Sequence, residues 1–229
     1  MKKTFSLILS IILIANLFIS VYAEQSGDYS YSILSDGTAI ITQYNGSSTQ
    51  ISIPTMLDGY RVTKVQNATF YGSDIESLTV SEYITDISGA FMYCTKLSKV
   101  ALSNSITIIG TGTFGGCENL QNIIIPNKVI EIGVSAFALC KSLSSISISN
   151  SVKTIKKDAF HGCEKLKDVT IPDSVTKIEN NAFGYFYDDN RQPHKYNDFK
   201  IYGYTGSEAQ RYAVDNGFAF ISLGKTKNP

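Results

Sequence analysis

The feature that most constrains the fold of this chain is a repeat with a period of 23 residues. Four cysteines fall on this period, at Cys94, Cys117, Cys140 and Cys163. Phenylalanine follows the same period, at Phe91, Phe114, Phe137, Phe160 and Phe183. A fixed period of this length is typical of a solenoid, in which one supersecondary unit packs on the next. The sequence therefore predicts a stack of coils with equivalent side chains in columns.

Each unit of the repeat shares the frame F-x-x-C-x-x-L-x-x-I-x-I-P/S-x-x-V-x-x-I-x-x-x-A. The segment L-x-x-I-x-I alternates apolar and polar positions, which predicts a short strand. Successive copies are expected to pair as a parallel β-sheet. The V-x-x-I half is too short for a regular helix and rich in β-branched residues, so it predicts a second, irregular extended edge. The fold class is therefore mainly β.

Both ends of the repeat array contain residues suited to capping it. Residues 24–60 predict an N-terminal β cap, in which residues 29–34 and 38–42 form a hairpin. The repeats proper span residues 61–198, and residues 199–229 predict a C-terminal strand and short helix. In the S-E-A-Q segment, Ser207 and Gln210 predict a capping box for a helix from about Glu208 to Asn216. Gly217 is expected to end that helix.

The last repeat carries seven additional residues, which fall within residues 184–197. We expect an irregular surface loop there, and surface loops often carry function. An insertion that is simply tolerated before the cap is the alternative interpretation. The candidate residues of this loop are Tyr185, Tyr187, Asp188, Asp189, Arg191 and His194.

The first 23 residues have the pattern of a secretory signal peptide. Lys2 and Lys3 precede an apolar run over residues 5–21, and cleavage is expected between Ala23 and Glu24. A membrane anchor is the alternative, but polar residues interrupt the run and no stop-transfer charges follow it. The mature chain is therefore predicted to be exported and to have no stable membrane span.

The charge balance argues against one class of partner. The chain has 20 basic and 20 acidic residues and no basic stripe. Nucleic-acid binding depends on neutralising phosphates with clustered basic side chains. We therefore expect no nucleic-acid partner.

The sequence offers no constellation for catalysis or metal binding. Its only histidines are His161, read as a surface residue, and His194 in the inserted loop. Neither has an evident nucleophile or orienting group at a useful spacing. Asp188 and Asp189 lack the alternating ligands of a calcium loop and are expected to be solvated. We predict no enzyme activity, no cofactor and no metal.

The four periodic cysteines allow three interpretations. The favoured one is a buried ladder of free thiols, one in each coil. Disulfides between adjacent coils are an alternative in an exported protein, although parallel Cβ vectors suit the bridge poorly. Metal binding is the third, but a line of sulfur atoms does not converge on one ion.

The outward positions of the predicted strands form the best candidate surface for a partner. We call this surface the strand face. Its central and flanking rows are hydroxyl-rich and weakly charged, and an ordinary solvated sheet face is the alternative interpretation. The predicted partner-binding residues are Thr79, Lys99, Ala101, Asn122, Ile124, Ser147, Asp168, Thr170 and Tyr202.

The frame of cysteine, leucine, I-x-I-P, V-x-x-I and A-F resembles the BspA-type (Treponema-type) leucine-rich repeats of bacterial surface and secreted proteins. The resemblance covers about residues 27–223, and residues 201–220 look like the usual terminator of that family. It implies a leucine-rich-repeat solenoid on the extracellular surface of a bacterium or secreted from it. It also implies a non-catalytic, adhesion-like module for protein or glycan partners. We expect the chain to be a monomer. A structural or self-associating extracellular component is the alternative.

Overall fold

The computed structural model describes residues 23–226. Apart from Ala23, the predicted signal peptide lies outside these residues and stays a prediction. The described part contains the following elements: β1 Glu24–Ser26, β2 Tyr29–Ile33, β3 Ala39–Tyr44, β4 Gln50–Ser52, β5 Met56–Leu57, β6 Tyr60–Val65, β7 Ser77–Thr79, β8 Lys99–Ala101, β9 Ile108–Ile109, β10 Asn122–Ile124, β11 Glu131–Ile132, β12 Ser145–Ser147, β13 Thr154–Ile155, β14 Asp168–Thr170, β15 Lys177–Ile178, β16 Tyr185–Tyr187, β17 Pro193–Lys195, β18 Lys200–Thr205, α1 Glu208–Asn216 and β19 Ala219–Lys225.

The N-terminal cap is a five-stranded sheet in the order β1-β2-β3-β6-β5. Strands β2 and β3 form the predicted hairpin, and they pair antiparallel. In its turn, Asp36 Oδ1 accepts the backbone N–H of Thr38 at 2.9 Å, and Gly37 has a φ of 78°. Strand β3 then pairs in parallel with β6, so the cap covers an edge that would otherwise be open.

The predicted parallel strands of the coils are present, in exact register along the stack. Ile123 of β10 lies beside Ile146 of β12, and Val169 of β14 lies beside Ile201 of β18. The hydrogen-bonded ladder is not continuous, however. It divides into three sheets, β4-β7-β8, β10-β12 and β14-β18-β19. The expected single sheet is therefore interrupted at the β8/β10 and β12/β14 junctions.

The V-x-x-I half of the coils is more regular than expected. It forms a second parallel sheet in the order β15-β13-β11-β9. The backbone N–H of Gly133 donates to Ile109 O at 2.7 Å, and that of Lys156 donates to Ile132 O at 2.9 Å. The expectation of an irregular edge was wrong, because identical backbone geometry in each coil lets every short segment bond to its neighbour.

The periodic phenylalanines form one column of stacked rings, as the repeat predicts. Adjacent ring centroids lie 5.7 Å apart from Phe91 to Phe114, 5.5 Å from there to Phe137, and 5.1 Å from Phe137 to Phe160. The rings along this stretch are inclined by at most 19°. The column continues past Phe70 to the ring of Tyr44 in the N-terminal cap, at 5.1 Å. The core is therefore continuous between cap and coils.

In the coils of Phe70, Phe91, Phe114, Phe137 and Phe160, left-handed backbone occurs two residues before and two residues after the phenylalanine. In the coil of Phe137, Ser135 has a φ of 52° and Leu139 a φ of 60°. Such values cost non-glycine residues roughly 1 kcal/mol or more each. The repeat of this conformation at equivalent positions shows that stacking between coils imposes it.

The C-terminal cap contains the predicted helix. Helix α1 spans Glu208–Asn216, buries Ala209, Tyr212 and Ala213, and ends at Gly217 with a φ of 68°. The hydroxyl of Tyr212 bonds to both the N–H and the carbonyl of Phe183, each at 3.0 Å, so the helix is fixed to the last coil.

The predicted capping box was wrong in detail. Ser207 is the N-cap residue, but its side chain makes no capping hydrogen bond. Its hydroxyl is buried instead. The side chain of Gln210 accepts a hydrogen bond from the N–H of Gly206 at 2.7 Å, not from that of Ser207. A capping box has two reciprocal hydrogen bonds; here the one from the Ser207 side chain is missing, and the one to the Gln210 side chain comes from the residue before Ser207.

Candidate functional site

The strand face is solvent-exposed along its length. Ile124, its large apolar residue, is 72% exposed. It lies beside Ser147 in the β10/β12 register, and the equivalent position in the preceding coil is Ala101. Small neighbours on both sides leave the isoleucine side chain projecting from the face. Of the predicted face residues, those exposed to solvent are Thr79, Lys99, Ala101, Asn122, Ile124, Ser147, Asp168 and Thr170, and Tyr202 is partly buried.

The interrupted β8/β10 junction opens a groove in the strand face. The groove has a volume of about 430 Å³, and Val100 lies in it as a half-buried apolar residue. Four of the predicted face residues line it, namely Thr79, Lys99, Ala101 and Asn122. The structure thus brings these four together and places Ile124 two residues beyond the groove on the same strand.

A second groove lies at the other interruption, between β12 and β14. Its volume is about 380 Å³, and it contains Ser147 and Thr170 of the strand face. Tyr204 and Leu223 of the C-terminal cap also line it. Sequence reasoning did not identify either groove, because the break in strand pairing has no counterpart in the repeat frame.

The inserted segment is an antiparallel hairpin and not the irregular loop that the sequence suggested. Strands β16 and β17 pair with Phe186 opposite His194. Asp188 closes the turn, because its Oδ1 atom accepts the backbone N–H groups of Asn190 and Gln192 at 2.9 and 2.8 Å. Its other oxygen lies 3.0 Å from Nε2 of His194. Local backbone pairing therefore orders the insertion, and Asp188 and His194 contribute to that order.

Hydrogen bonds fix the hairpin to the body of the protein. The hydroxyl of Tyr187 donates to Asp158 Oδ1 at 2.8 Å. The hydroxyl of Tyr185 donates to Asn216 Oδ1 at 2.8 Å, and Lys195 Nζ donates to the carbonyl of Asn216 at 2.9 Å. Both predicted tyrosines therefore anchor the hairpin. The remaining candidates of this segment, Asp189 and Arg191, are exposed near its tip.

A cleft of about 580 Å³ lies between the hairpin and the two preceding coils. We call it the hairpin cleft. Sequence reasoning identified only one of its residues, Tyr187, as a candidate, since the others come from separate segments without a shared motif. The cleft is lined by Leu139, His161, Gly162, Glu164, Lys167, Phe186, Tyr187 and Tyr196.

His161 is not the simple surface residue that its variable repeat position suggested. Its ring packs edge-on against Tyr187, with centroids 5.1 Å apart. Its Nδ1 atom is buried and has no hydrogen-bond partner. Burial lowers the pKa of His161 below its ordinary value, although the nearby Asp158 carboxylate acts in the opposite direction. The imidazole is therefore neutral at neutral pH.

The four repeat cysteines are free and buried. Each thiol lies within hydrogen-bonding distance of the carbonyl of a phenylalanine in the preceding part of the stack. For example, Cys117 Sγ lies 3.3 Å from Phe91 O, and Cys140 Sγ lies 3.2 Å from Phe114 O. Burial raises the pKa of the Cys140 thiol well above its usual range. The arrangement holds neutral thiols away from solvent and from thiolate chemistry.

This arrangement predicts that the native protein does not react with a thiol reagent such as Ellman's reagent. Burial and a raised pKa both suppress the reactive thiolate. After unfolding in guanidinium without reductant, all four cysteines should react. Rapid labelling of the folded chain, or fewer than four reactive thiols after unfolding, would contradict the buried free ladder.

Membrane-spanning helices and metal-ligand clusters are both absent from residues 23–226. None of the helices there is long and apolar enough to cross a membrane. Within the same range, histidine, cysteine, aspartate and glutamate side chains form no group of three or more suited to a metal ion.

Comparison with protein families matches residues 63–188 to six copies of the BspA type leucine rich repeat region. The comparison with curated proteins finds no match.

Solved bacterial structures share the fold. The T. pallidum leucine rich repeat protein is 20% identical, with a TM-score of 0.61, over 90% of this chain and 100% of that one. A leucine-rich repeat protein from Bacteroides capillosus is 31% identical, with a TM-score of 0.50, over 55% of this chain and 96% of that one. A leucine rich cell surface protein from Faecalibacterium prausnitzii is 22% identical, with a TM-score of 0.56, over 80% and 71%.

Proposed function

Because this chain belongs to the BspA-type leucine-rich-repeat family, we propose that it is an exported, non-catalytic binding module that holds an extracellular protein through its strand face. Repeats of this family suggest protein interaction. Export is supported by the signal-peptide pattern of residues 1–23 and by a similar structure described as a cell surface protein.

The observation that carries the proposal is the exposure of Ile124 beside the β8/β10 groove. An isoleucine that is 72% exposed on a rigid face, next to a groove containing Val100, provides an apolar anchor with a polar surround. Protein interfaces commonly concentrate binding energy in a few such anchors. The face holds a single tyrosine, Tyr202, and no other aromatic ring among its predicted residues. This composition favours a protein partner over a glycan.

Replacing Ile124 with serine should remove the partner without unfolding the protein. We expect about thirtyfold weaker capture, the effect of losing a hot spot of about 2 kcal/mol. The matched control is Ile130→Ser, because Ile130 is 52% exposed but lies outside the strand face. The measurement is affinity capture of extracellular proteins on the immobilised mature chain, with quantitative mass spectrometry of the bound fraction.

Support requires a protein that the wild type and the Ile130→Ser variant capture equally and that the Ile124→Ser variant loses. Equal capture by all three chains would refute the role of the strand face. Light scattering of the mature chain tests the alternative of self-association. A dimer that dissociates only in the Ile124→Ser variant would assign the face to assembly and not to a foreign partner.

A further inference from the structure

The hairpin cleft is a separate surface from the strand face and has a different chemistry. Its volume of about 580 Å³ falls in the range of small-molecule sites. Three half-buried aromatic residues line it, namely Phe186, Tyr187 and Tyr196. The rings of Phe186 and Tyr196 lie 5.0 Å apart between centroids.

The cleft is held open by contacts at both ends of the hairpin. The Tyr187 hydroxyl is hydrogen-bonded to Asp158 in the coil. At the base of the hairpin, Tyr185 and Lys195 are hydrogen-bonded to Asn216 in the C-terminal helix. The base of β16 also joins the coil, because Gly162 N–H donates to Tyr185 O at 2.7 Å. These contacts fix the aromatic walls before any ligand arrives, which reduces the entropy lost on binding.

The polar groups of the cleft suit hydroxyl groups. His161 is neutral, and its Nδ1 atom is buried with no hydrogen-bond acceptor nearby. We therefore place the ring proton on Nε2, which can donate a hydrogen bond to a ligand. Glu164 supplies a carboxylate acceptor, and the Lys167 ammonium donates to the carbonyl of Glu164 at 2.8 Å. Burial raises the pKa of Tyr196 to about 12, so its hydroxyl stays protonated and can donate. Donors and acceptors are therefore interspersed.

The charges of the cleft argue against ionic ligands. Lys167 Nζ lies 5.5 Å from the ring centroid of Tyr196, so the lining already contains a cation that would repel a cationic ligand. Glu164 repels an anion, and the two charges cancel. A neutral ligand with apolar faces and many hydroxyl groups satisfies this lining best. Its C–H faces can pack on aromatic rings, whose faces are negative, while its hydroxyls meet the polar groups.

We propose that the hairpin cleft binds a neutral saccharide, with a pyranose ring packed against Phe186 and Tyr196 and its hydroxyl groups bonded by His161, Glu164 and Lys167. This assignment does not depend on a protein partner at the strand face. It gives the inserted hairpin a role in carbohydrate recognition at one corner of the solenoid.

The test is saturation-transfer NMR and tyrosine fluorescence of the mature chain with defined neutral probes. The probes are maltotetraose, cellotetraose, mannotetraose and chitotetraose, each titrated to about 10 mM. The chain has 14 tyrosines and no tryptophan, so fluorescence reports on the tyrosines, of which two line the cleft. At least one probe should bind, and the Tyr196→Ala variant should weaken that binding about fivefold or more.

Lys167→Ala is a second test variant, because Lys167 is exposed and we expect its replacement to leave the fold intact. It should also weaken the binding of the same probe. Arg191→Ala at the exposed hairpin tip is the matched control and should bind like the wild type. The proposal is overturned if no neutral probe binds, or if both test variants bind the saccharide as well as the wild type. It is also overturned if choline chloride binds the cleft more tightly than every saccharide.

Discussion

Replacing Phe137 with alanine is expected to lower the free energy of unfolding by about 3–5 kcal/mol. Phe137 is fully buried, and its ring stacks on both Phe114 and Phe160 at 5.5 and 5.1 Å. Its removal from the middle of the column leaves a cavity between two coils, and the rigid neighbours cannot collapse to fill it. Urea unfolding followed by circular dichroism measures the loss.

The control for this variant is Tyr71→Ala. Tyr71 is also an aromatic residue of the coil corners, but it is 57% exposed and contacts mainly the ring of Tyr93. Its replacement should cost less than about 1 kcal/mol. A Phe137→Ala variant as stable as the Tyr71→Ala variant would show that the column does not carry the core.

Replacing Gly133 with alanine is the second large effect, expected at about 1–3 kcal/mol although only a methyl group is added. A Cβ atom at Gly133 would lie 2.6 Å from the carbonyl carbon of Gly110 and 2.7 Å from the backbone nitrogen of Thr111. These are main-chain atoms of the preceding coil, and they cannot rotate away. The coils must separate locally, which weakens the hydrogen bond from Gly133 N to Ile109 O.

Gly110 offers the matched comparison. A Cβ atom there would overlap the side-chain Oγ of Ser88. The double variant Gly110→Ala with Ser88→Gly should therefore regain part of the stability lost in Gly110→Ala. The Gly133→Ala variant has no side chain to remove in this way. Thermal melts of the variants measure these differences, and a Gly133→Ala variant with wild-type stability would contradict the close approach of the coils.

The repeat made much of the fold predictable from sequence. A period of 23 residues places equivalent side chains at equivalent heights, so Phe114 and Phe137 had to stack if the coils stacked at all. The strand direction and the buried face followed from the same alternation. The helix of the C-terminal cap was predictable from local signals, because Gly217 is a strong stop and Tyr212 and Ala213 share one face.

Other features could not be read from the repeat. The residues with left-handed backbone are glycines in some coils but Ser135 and Leu139 in another. Because the residue types differ, the sequence does not indicate that these positions share one backbone conformation. The breaks in the strand ladder between β8 and β10 and between β12 and β14 have no counterpart in the repeat frame. The hairpin of residues 185–195 occurs once, so no period reveals its pairing.

Of the two candidate sites, one could be predicted from the sequence and the other could not. The strand face was predictable, because alternation along a strand fixes which side chains point outward. The hairpin cleft was not, since His161, Lys167 and Tyr196 come from three segments that only the folded chain brings together. Sequence reasoning placed Asp188 and His194 among the candidates of the inserted segment, and in the structure both side chains stabilise its turn.

The stacking of equivalent residues from coil to coil is tested most directly by contacts between phenylalanine rings in solution. We expect nuclear Overhauser effects between the ring protons of Phe114 and Phe137, and between those of Phe137 and Phe160, in a sample with selectively labelled phenylalanine. The ring centroids of these pairs lie 5.5 and 5.1 Å apart. Effects that connect each ring only to residues of its own 23-residue unit would contradict the solenoid and the surfaces built on it.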